Sequence, residues 1–122
     1  MKALLVLGAL NAALAVVMGA FGAHGLKARV DAALLETWAT AGLYHFHHAL
    51  ALLLVGVLAK QFGNGGFVAA GWTLFAGMLI FSGSLYLLVL SGQRWLGAVT
   101  PIGGTAMIVG WLMLAWALWR HA

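Results

Sequence analysis

The sequence predicts an all-α membrane protein built as an antiparallel bundle of four transmembrane helices. The 122-residue chain is 65% hydrophobic and 7% charged, whereas soluble domains carry about 25% charged residues. Its mean hydropathy is +1.06. Four apolar stretches come close to or exceed the ~20 residues that a transmembrane helix needs, and short loops separate them. We therefore expect a single domain over residues 1–122 without a soluble part.

The charged residues exclude several classes of function. The formal net charge is +4, but lysines and arginines stand singly along the chain, so the basic patch that binds nucleic acid is missing. The chain has no cysteine, which excludes disulfides, thiolate metal ligands and haem attached through cysteine. The cations suit the flanks of membrane helices, and the lipid bilayer is the expected surrounding.

The first span is predicted at residues 3–20. It follows a short basic start like that of a secretory signal peptide, but its apolar run is longer than a typical signal-peptide core, so we expect it to be retained. Residues 22–29 bring glycines and the cations Lys27 and Arg29, which suit a helix end at the lipid head groups. His24 is therefore expected at the membrane interface.

Residues 31–40 have a different pattern. Asp31 stands where a helix N-cap is expected, and apolar residues that include Trp38 recur at helical spacing opposite Glu36. The pattern predicts a short amphipathic helix on the membrane surface, between spans 1 and 2. This helix runs into the second span, which is predicted at residues 41–59.

The remaining spans are bounded by turn-forming residues. Residues 60–66 are rich in glycine and close the second span, and the third span is predicted at residues 67–90. Residues 95–99 are apolar but too short to cross, so we expect them in the interface. Pro101 suits the first position of a helix, where its missing N–H costs nothing, and it begins the fourth span at residues 101–119.

The orientation in the membrane is left open by the sequence. Four spans put Lys60 and both termini on one side, and Lys27, Arg29 and Arg94 on the other. These counts are balanced, so the positive-inside rule gives no strong preference. The amino terminus beside Lys2 and two acids in the first loop weakly favour cytoplasmic termini, and insertion in both orientations is the alternative.

Small residues recur every seven positions in each predicted span, which favours one packed seam along each helix of a left-handed bundle. Close approach over small side chains holds helices together in lipid. The alternative is that a chain rich in glycine, alanine and serine shows this repeat by chance. The predicted packing positions are Gly8, Ala15, Gly42, Ala49, Gly56, Gly77, Ser84, Gly103 and Gly110.

This seven-residue register also predicts which polar residues face inward. Asn11, His45 and Thr73 each follow a seam residue by three positions, which places them on packed faces. A buried Asn or His in hydrocarbon needs a hydrogen-bond partner. His45 and His48 lie side by side on the second helix, while His47 points away from both.

A metal site is one interpretation of the histidines. His24, His45 and His48 are expected at the same end of the bundle, with Asp31 and Glu36 nearby in sequence. Three imidazoles and a carboxylate would suit zinc or copper. The alternative is that the histidines bond backbone carbonyls and hydroxyls across helices. His-x-x-His alone is a weak signal, so we expect no metal and no cofactor.

Other chemistry has less support in the sequence. A haem held by two histidines needs imidazoles on separate helices at similar depth, and His121 stands at the opposite end of the bundle. A proton or quinone role would need further ionisable groups, but the third and fourth spans offer hydroxyls alone. Neither a catalytic constellation nor a phosphate-binding loop is present, so we expect a protein that is not an enzyme.

Four motifs occur in order along the chain. They are Phe-Gly-Ala-His-Gly-Leu at 21–26, Tyr-x-x-x-His-Ala-Leu at 44–50, Phe-Ser-Gly-Ser-Leu-Tyr at 81–86 and Thr-Pro-Ile-Gly-Gly at 100–104. With these motifs the chain resembles the DUF423 family of small membrane proteins, and the likeness covers almost the whole chain. The resemblance implies a bacterial inner-membrane protein with four spans and an unassigned biochemical function.

The resemblance also selects residues within the candidate site. His45 and His47 fall where histidine is not expected across the family, which weakens the three-histidine metal site and leaves His24, Tyr44 and His48 as the better constellation. The residues that match the family motifs are His24, Tyr44, His48, Ser82, Ser84, Tyr86 and Pro101.

Two hypotheses of function follow. The first is a structural or accessory membrane protein, whose partner is a second copy or a larger membrane complex, because exposed seams of small residues favour helix contacts. The second is a binding protein whose pocket, lined by His24, Tyr44, His45 and His48, takes a metal, a quinone or a lipid head group.

Overall fold

Four long α-helices and two short helices make up the described part of the chain. A computed structural model describes residues 1–63 and 65–121. The α-helices are α1 (Lys2–Phe21), α2 (Ala32–Phe62), α3 (Phe67–Ser91) and α4 (Thr100–His121); a π-helix (Gly22–Leu26) extends α1, and a 3-10 helix (Arg94–Ala98) precedes α4. Within this described chain, four helices are long and apolar enough to cross a membrane. The prediction of an all-α four-helix bundle is confirmed.

Successive helices pack side by side and run antiparallel. Leu5 near the start of α1 lies against Gly56 near the end of α2, and Gly22 beyond the end of α1 lies against Trp38 near the start of α2. The same reversal relates α2 to α3 and α3 to α4. In this order α2 and α3 form the centre of the bundle, while α1 packs mainly on α2 and α4 mainly on α3.

The amphipathic segment expected on the membrane surface is not a separate element. Residues 31–40 hold the N-cap and first turns of α2, which continues without a break to Phe62. Asp31 caps this helix, because its Oδ1 accepts a hydrogen bond from the backbone N–H of Leu34 at 2.9 Å. Between Ala32 and Phe62 the sequence contains no proline, so the change from amphipathic to apolar composition does not interrupt the helix. The membrane boundaries within the four helices remain a prediction.

Glycines form the tight turns at the ends of α3. Gly66, which precedes the helix, has a φ of 92°, and Gly92, which ends it, has a φ of 73°. Backbone in this left-handed region strains residues that carry a Cβ, and the Gly92 N–H satisfies the carbonyl of Leu88 at 2.8 Å. These positions explain the glycines of the predicted turns. Asn64, which belongs to the same predicted turn, lies outside the described residues.

Helices approach one another most closely where glycines meet neighbouring backbone. A Cβ at Gly77 on α3 would lie 2.8 Å from the carbonyl oxygen of Gly103 on α4, and a Cβ at Gly8 on α1 would lie 2.9 Å from that of Ala49 on α2. Both distances are shorter than a packed Cβ allows, so the contacts need glycine. The packing positions named from the sequence fall as follows: Gly8, Ala15, Ala49, Gly56, Gly77, Ser84, Gly103 and Gly110 are buried, and Gly42 is partly buried.

The apolar core has two parts, separated along the bundle. One contains Leu52 on α2 and Leu74 on α3. The other contains Trp38 on α2 and Val89 on α3. Between them along α2 lie His45 and His48, which are both buried. The histidines therefore form a polar layer inside the bundle.

Candidate functional site

The polar layer joins all four helices through side chains, of which His45, His48 and Tyr86 are buried. Asn11 comes from α1, His45 and His48 from α2, Tyr86 from α3 and Trp111 from α4. Each contributes a polar atom to a hydrogen bond that crosses between helices. We call these five residues the polar layer.

The ring of His45 bridges α1 and α3. Its Nδ1 lies 2.9 Å from the hydroxyl of Tyr86, and its Nε2 lies 2.9 Å from Oδ1 of Asn11. The amide nitrogen of Asn11 donates to the carbonyl of Leu7 at 2.9 Å, which leaves Oδ1 as the acceptor. Nε2 of His45 therefore carries the proton, and Nδ1 accepts from the Tyr86 hydroxyl.

The ring of His48 links α2 to α4 and has the opposite tautomer. The indole N–H of Trp111 donates to Nε2 of His48 at 3.0 Å, and an indole nitrogen can only donate. On the other side, Nδ1 lies 2.8 Å from the carbonyl oxygen of Tyr44, which can only accept. The proton of His48 is therefore on Nδ1, and the imidazole is neutral.

Neither buried ring presents an unshared lone pair to a ligand. A metal ion binds the lone pair of a neutral imidazole nitrogen. In His45 the lone pair on Nδ1 accepts from the Tyr86 hydroxyl, and in His48 the lone pair on Nε2 accepts from the Trp111 indole. His24 lies exposed in the π-helix. In the part of the chain that the structure describes, no three His, Cys, Asp or Glu side chains are grouped so that they could hold a metal ion. The structure thus does not bring His24, His45 and His48 together as a metal site.

Tyr44 and His47 both lie at the outer surface of α2. The ring of Tyr44 is 39% exposed, and it stacks against His48 with 6.2 Å between ring centroids. His47 is exposed, as its position in the helical pattern predicts. Tyr44 therefore contributes its backbone carbonyl to the polar layer, while His47 is turned away from it.

Comparison with known proteins decides the family. A family model described as "Protein of unknown function (DUF423)" matches residues 18–104. The chain belongs to the DUF423 family. It is 49% identical to the UPF0382 membrane protein YwdK of Bacillus subtilis over 99% of each chain. It is 48% identical to a UPF0382 membrane protein of Staphylococcus aureus, over 100% of this chain and 99% of the relative. No solved structure matches the chain.

These relatives make this DUF423 protein a small membrane protein of unassigned function. Its third and fourth family motifs are tied together at one end of α3. The hydroxyl of Ser84 lies 2.6 Å from that of Thr100 at the start of α4. Ser82 donates to the carbonyl of Ala41 on α2 at 2.8 Å. The hydroxyls of Ser82 and Ser84 therefore contact neighbouring helices, and both serine side chains are buried.

Two tryptophans of this DUF423 protein have roles that the sequence did not predict. Trp38, expected near the membrane interface, is 3% exposed, and its indole donates to the carbonyl of Met18 on α1 at 2.7 Å. Trp111 lies within the fourth predicted span, and its indole donates to Nε2 of His48. By contrast, the hydroxyl of Thr73, expected to face a neighbour, bonds the carbonyl of Ala69 in its own helix.

Proposed function

We propose that this DUF423 protein is a structural or accessory subunit without enzymatic activity. In this proposal the whole chain is one four-span domain of the bacterial inner membrane. It packs against a transmembrane segment of a partner through an outer face of α2 that consists of Thr40, His47, Leu50 and Leu54. We call this the His47 face. The single observation that carries the proposal is the exposure of His47 on it.

His47 lies well inside the second span that the sequence predicts, away from the head groups. It lies about 9 Å along the helix from Ala41, where the second span is expected to begin. Leu50 and Leu54 on the same face are 45% and 49% exposed, so the apolar surface continues beyond it. An imidazole is too short to reach the head groups from this depth, and a polar ring left in hydrocarbon is costly. A partner that offers a hydrogen bond would remove that cost.

The polar layer supports a structural role over a ligand-binding role. His45 uses both ring nitrogens to hold α1 and α3. His48 holds α4 through Nε2 and bonds the backbone of its own helix through Nδ1. A histidine-lined site for a metal, a quinone or a lipid head group would have to break these bonds first. Their arrangement favours a rigid bundle, and rigid helices present a defined surface to a partner.

The setting in the inner membrane rests on two further observations. Relatives of this chain in Bacillus and Staphylococcus are named membrane proteins. The described helices have the length and apolar composition of membrane spans, and helical spans suit the inner membrane because proteins cross the outer membrane as barrels.

Site-specific photo-cross-linking in intact membranes tests the proposal. A photoreactive phenylalanine derivative replaces His47 in one variant and Leu112 in the control. Leu112 is 65% exposed on α4, so it presents a similar apolar surface on a different side. We expect a protein adduct of defined mass from position 47 and lipid adducts alone from position 112. A mass of two chains identifies a homo-oligomer, and another mass identifies a larger complex. Lipid adducts alone at both positions would overturn the proposal.

A further inference from the structure

A groove of about 620 Å³ lies between α1 and α2 at the end of the bundle that carries the first loop. One wall includes Ala15 and Gly19 of α1 and Gly22 of the π-helix, and the α2 wall includes Ala39 and Gly42. These small residues leave space between the two walls, and Leu35, Trp38 and Leu43 form the rest of the α2 wall. The groove opens on the outer surface, where lipid surrounds the bundle.

Trp38 explains why the groove exists. Its indole lies against Gly22, where a Cβ would overlap the ring, and it donates to the carbonyl of Met18. The large ring thereby sets the spacing of α1 and α2 at this level. A Cβ at Gly19, further along the wall, would meet nothing within 4 Å. The space beside Gly19 is therefore open to an occupant.

The groove has the length and polarity of one lipid leaflet. The wall formed by α1 and the π-helix that extends it runs from Ala15 to Lys27. Its length is at most about 18 Å at the α-helical rise of 1.5 Å per residue, because the π-helix rises less per residue. Half of the hydrocarbon core of a bilayer is about 15 Å thick. Lys27 is the only charged residue among the described residues that line the groove, and it lies at the end expected nearest the head groups. The groove is therefore apolar along its length and cationic at its mouth.

We propose that this groove binds an anionic phospholipid, with one acyl chain along its apolar walls and the phosphate at the ammonium group of Lys27. A cation near the membrane surface attracts anionic lipid by an amount that corresponds to about fivefold in affinity. A lipid of neutral net charge would gain less from Lys27. A quinone would fill the apolar channel but offers no negative charge. This inference goes beyond the proposed function and does not depend on the His47 face.

Native mass spectrometry of the detergent-solubilised full chain tests the proposal. The protein is titrated with phosphatidylglycerol or with phosphatidylcholine, and the fraction with one bound lipid is measured. We expect the wild type to prefer phosphatidylglycerol by about fivefold. Lys27→Gln should remove this preference and keep weak binding of both lipids. Arg94→Gln is the matched control, because Arg94 is a cation at the same end of the bundle, in the 3-10 helix, and should keep the preference.

A second variant tests the acyl channel. Gly19→Leu places a side chain where the backbone has room for it, so it should fill the groove and reduce binding of both lipids at least tenfold. Ala39→Leu fills the opposite wall and should act alike, which covers the case in which one variant does not fold. Equal binding of the two lipids by the wild type, an unchanged preference in Lys27→Gln, or wild-type binding by both filled variants would each overturn the proposal. Lys27→Gln should leave cross-linking from position 47 unchanged, so the two proposals fail separately.

Discussion

The hydroxyl of Tyr86 on α3 and Nδ1 of His45 on α2 lie 2.9 Å apart, and this bond continues through the imidazole to Asn11 on α1. Three helices are therefore joined through one ring. Hydrogen bonds between membrane helices contribute about 0.6 kcal/mol on average and up to about 1.7 kcal/mol. Because both ring nitrogens of His45 are engaged inside the bundle, loss of either partner leaves a buried nitrogen unsatisfied.

Tyr86→Phe should destabilise the protein by about 1 kcal/mol. The substitution keeps the ring packed against Trp38, where the centroids are 4.7 Å apart, and removes the donor to His45. The free energy of unfolding, measured by titration with a denaturing detergent in mixed micelles, gives the value. Tyr44→Phe is the matched control, because its ring is exposed and its bond to His48 uses the backbone. Equal free energies of unfolding for the two variants would show that the Tyr86 hydroxyl does not stabilise the bundle.

The two buried histidines should differ in tautomer. The indole N–H of Trp111 donates to Nε2 of His48, so the ring proton of His48 is on Nδ1. Oδ1 of Asn11 accepts from Nε2 of His45, so the ring proton of His45 is on Nε2. The ¹⁵N chemical shifts of the imidazole nitrogens in labelled protein distinguish these forms at neutral pH. Trp111→Phe should allow the Nε2–H form of His48 to appear. The same tautomer in both rings of the wild type would contradict the assigned donors.

The sequence predicts the helices better than their ends. The number and apolar lengths of the spans follow from hydropathy, since a bilayer needs about 20 residues per crossing. The amphipathic pattern of residues 31–40 describes which side of a helix meets water, but it does not mark a break, so the continuous helix from Ala32 to Phe62 was missed.

The polar layer could be predicted in part from the sequence. The register of small residues places His45 and Asn11 on packed faces, and the structure buries the His45 ring between α1 and α3. The partners Tyr86 and Trp111 could not be predicted, because a contact between helices depends on the relative rotation and depth of α2, α3 and α4. The spacing of residues within one helix specifies neither the rotation nor the depth of that helix relative to its neighbours.

Gly103→Ala should destabilise the bundle by about 1–3 kcal/mol. A Cβ at Gly103 would overlap the backbone of Phe81 and lie 2.8 Å from the carbonyl oxygen of Gly77, so α3 and α4 would have to separate. Gly104→Ala is the control from the next position of the same helix, because its Cβ would lie 3.7 Å from the ring of Phe81, in ordinary contact. Thermal unfolding in detergent measures both. A similar loss in both variants would mean that the effect does not come from the contact of α3 with α4. Helix propensity would favour both variants, because alanine is a better helix former than glycine.

Trp38→Phe should destabilise the protein by about 2 kcal/mol or more. The indole is 3% exposed, it packs against Phe21 with ring centroids 5.7 Å apart, and it donates to the carbonyl of Met18 at 2.7 Å. Phenylalanine leaves part of this volume empty and removes the donor, so α1 and α2 lose both packing and a hydrogen bond at the same point. Trp95→Phe is the matched control, because Trp95 is 64% exposed, and its free energy of unfolding should change by no more than about 0.5 kcal/mol. A small effect at Trp38 would mean that the α1–α2 contact is maintained by its glycines alone.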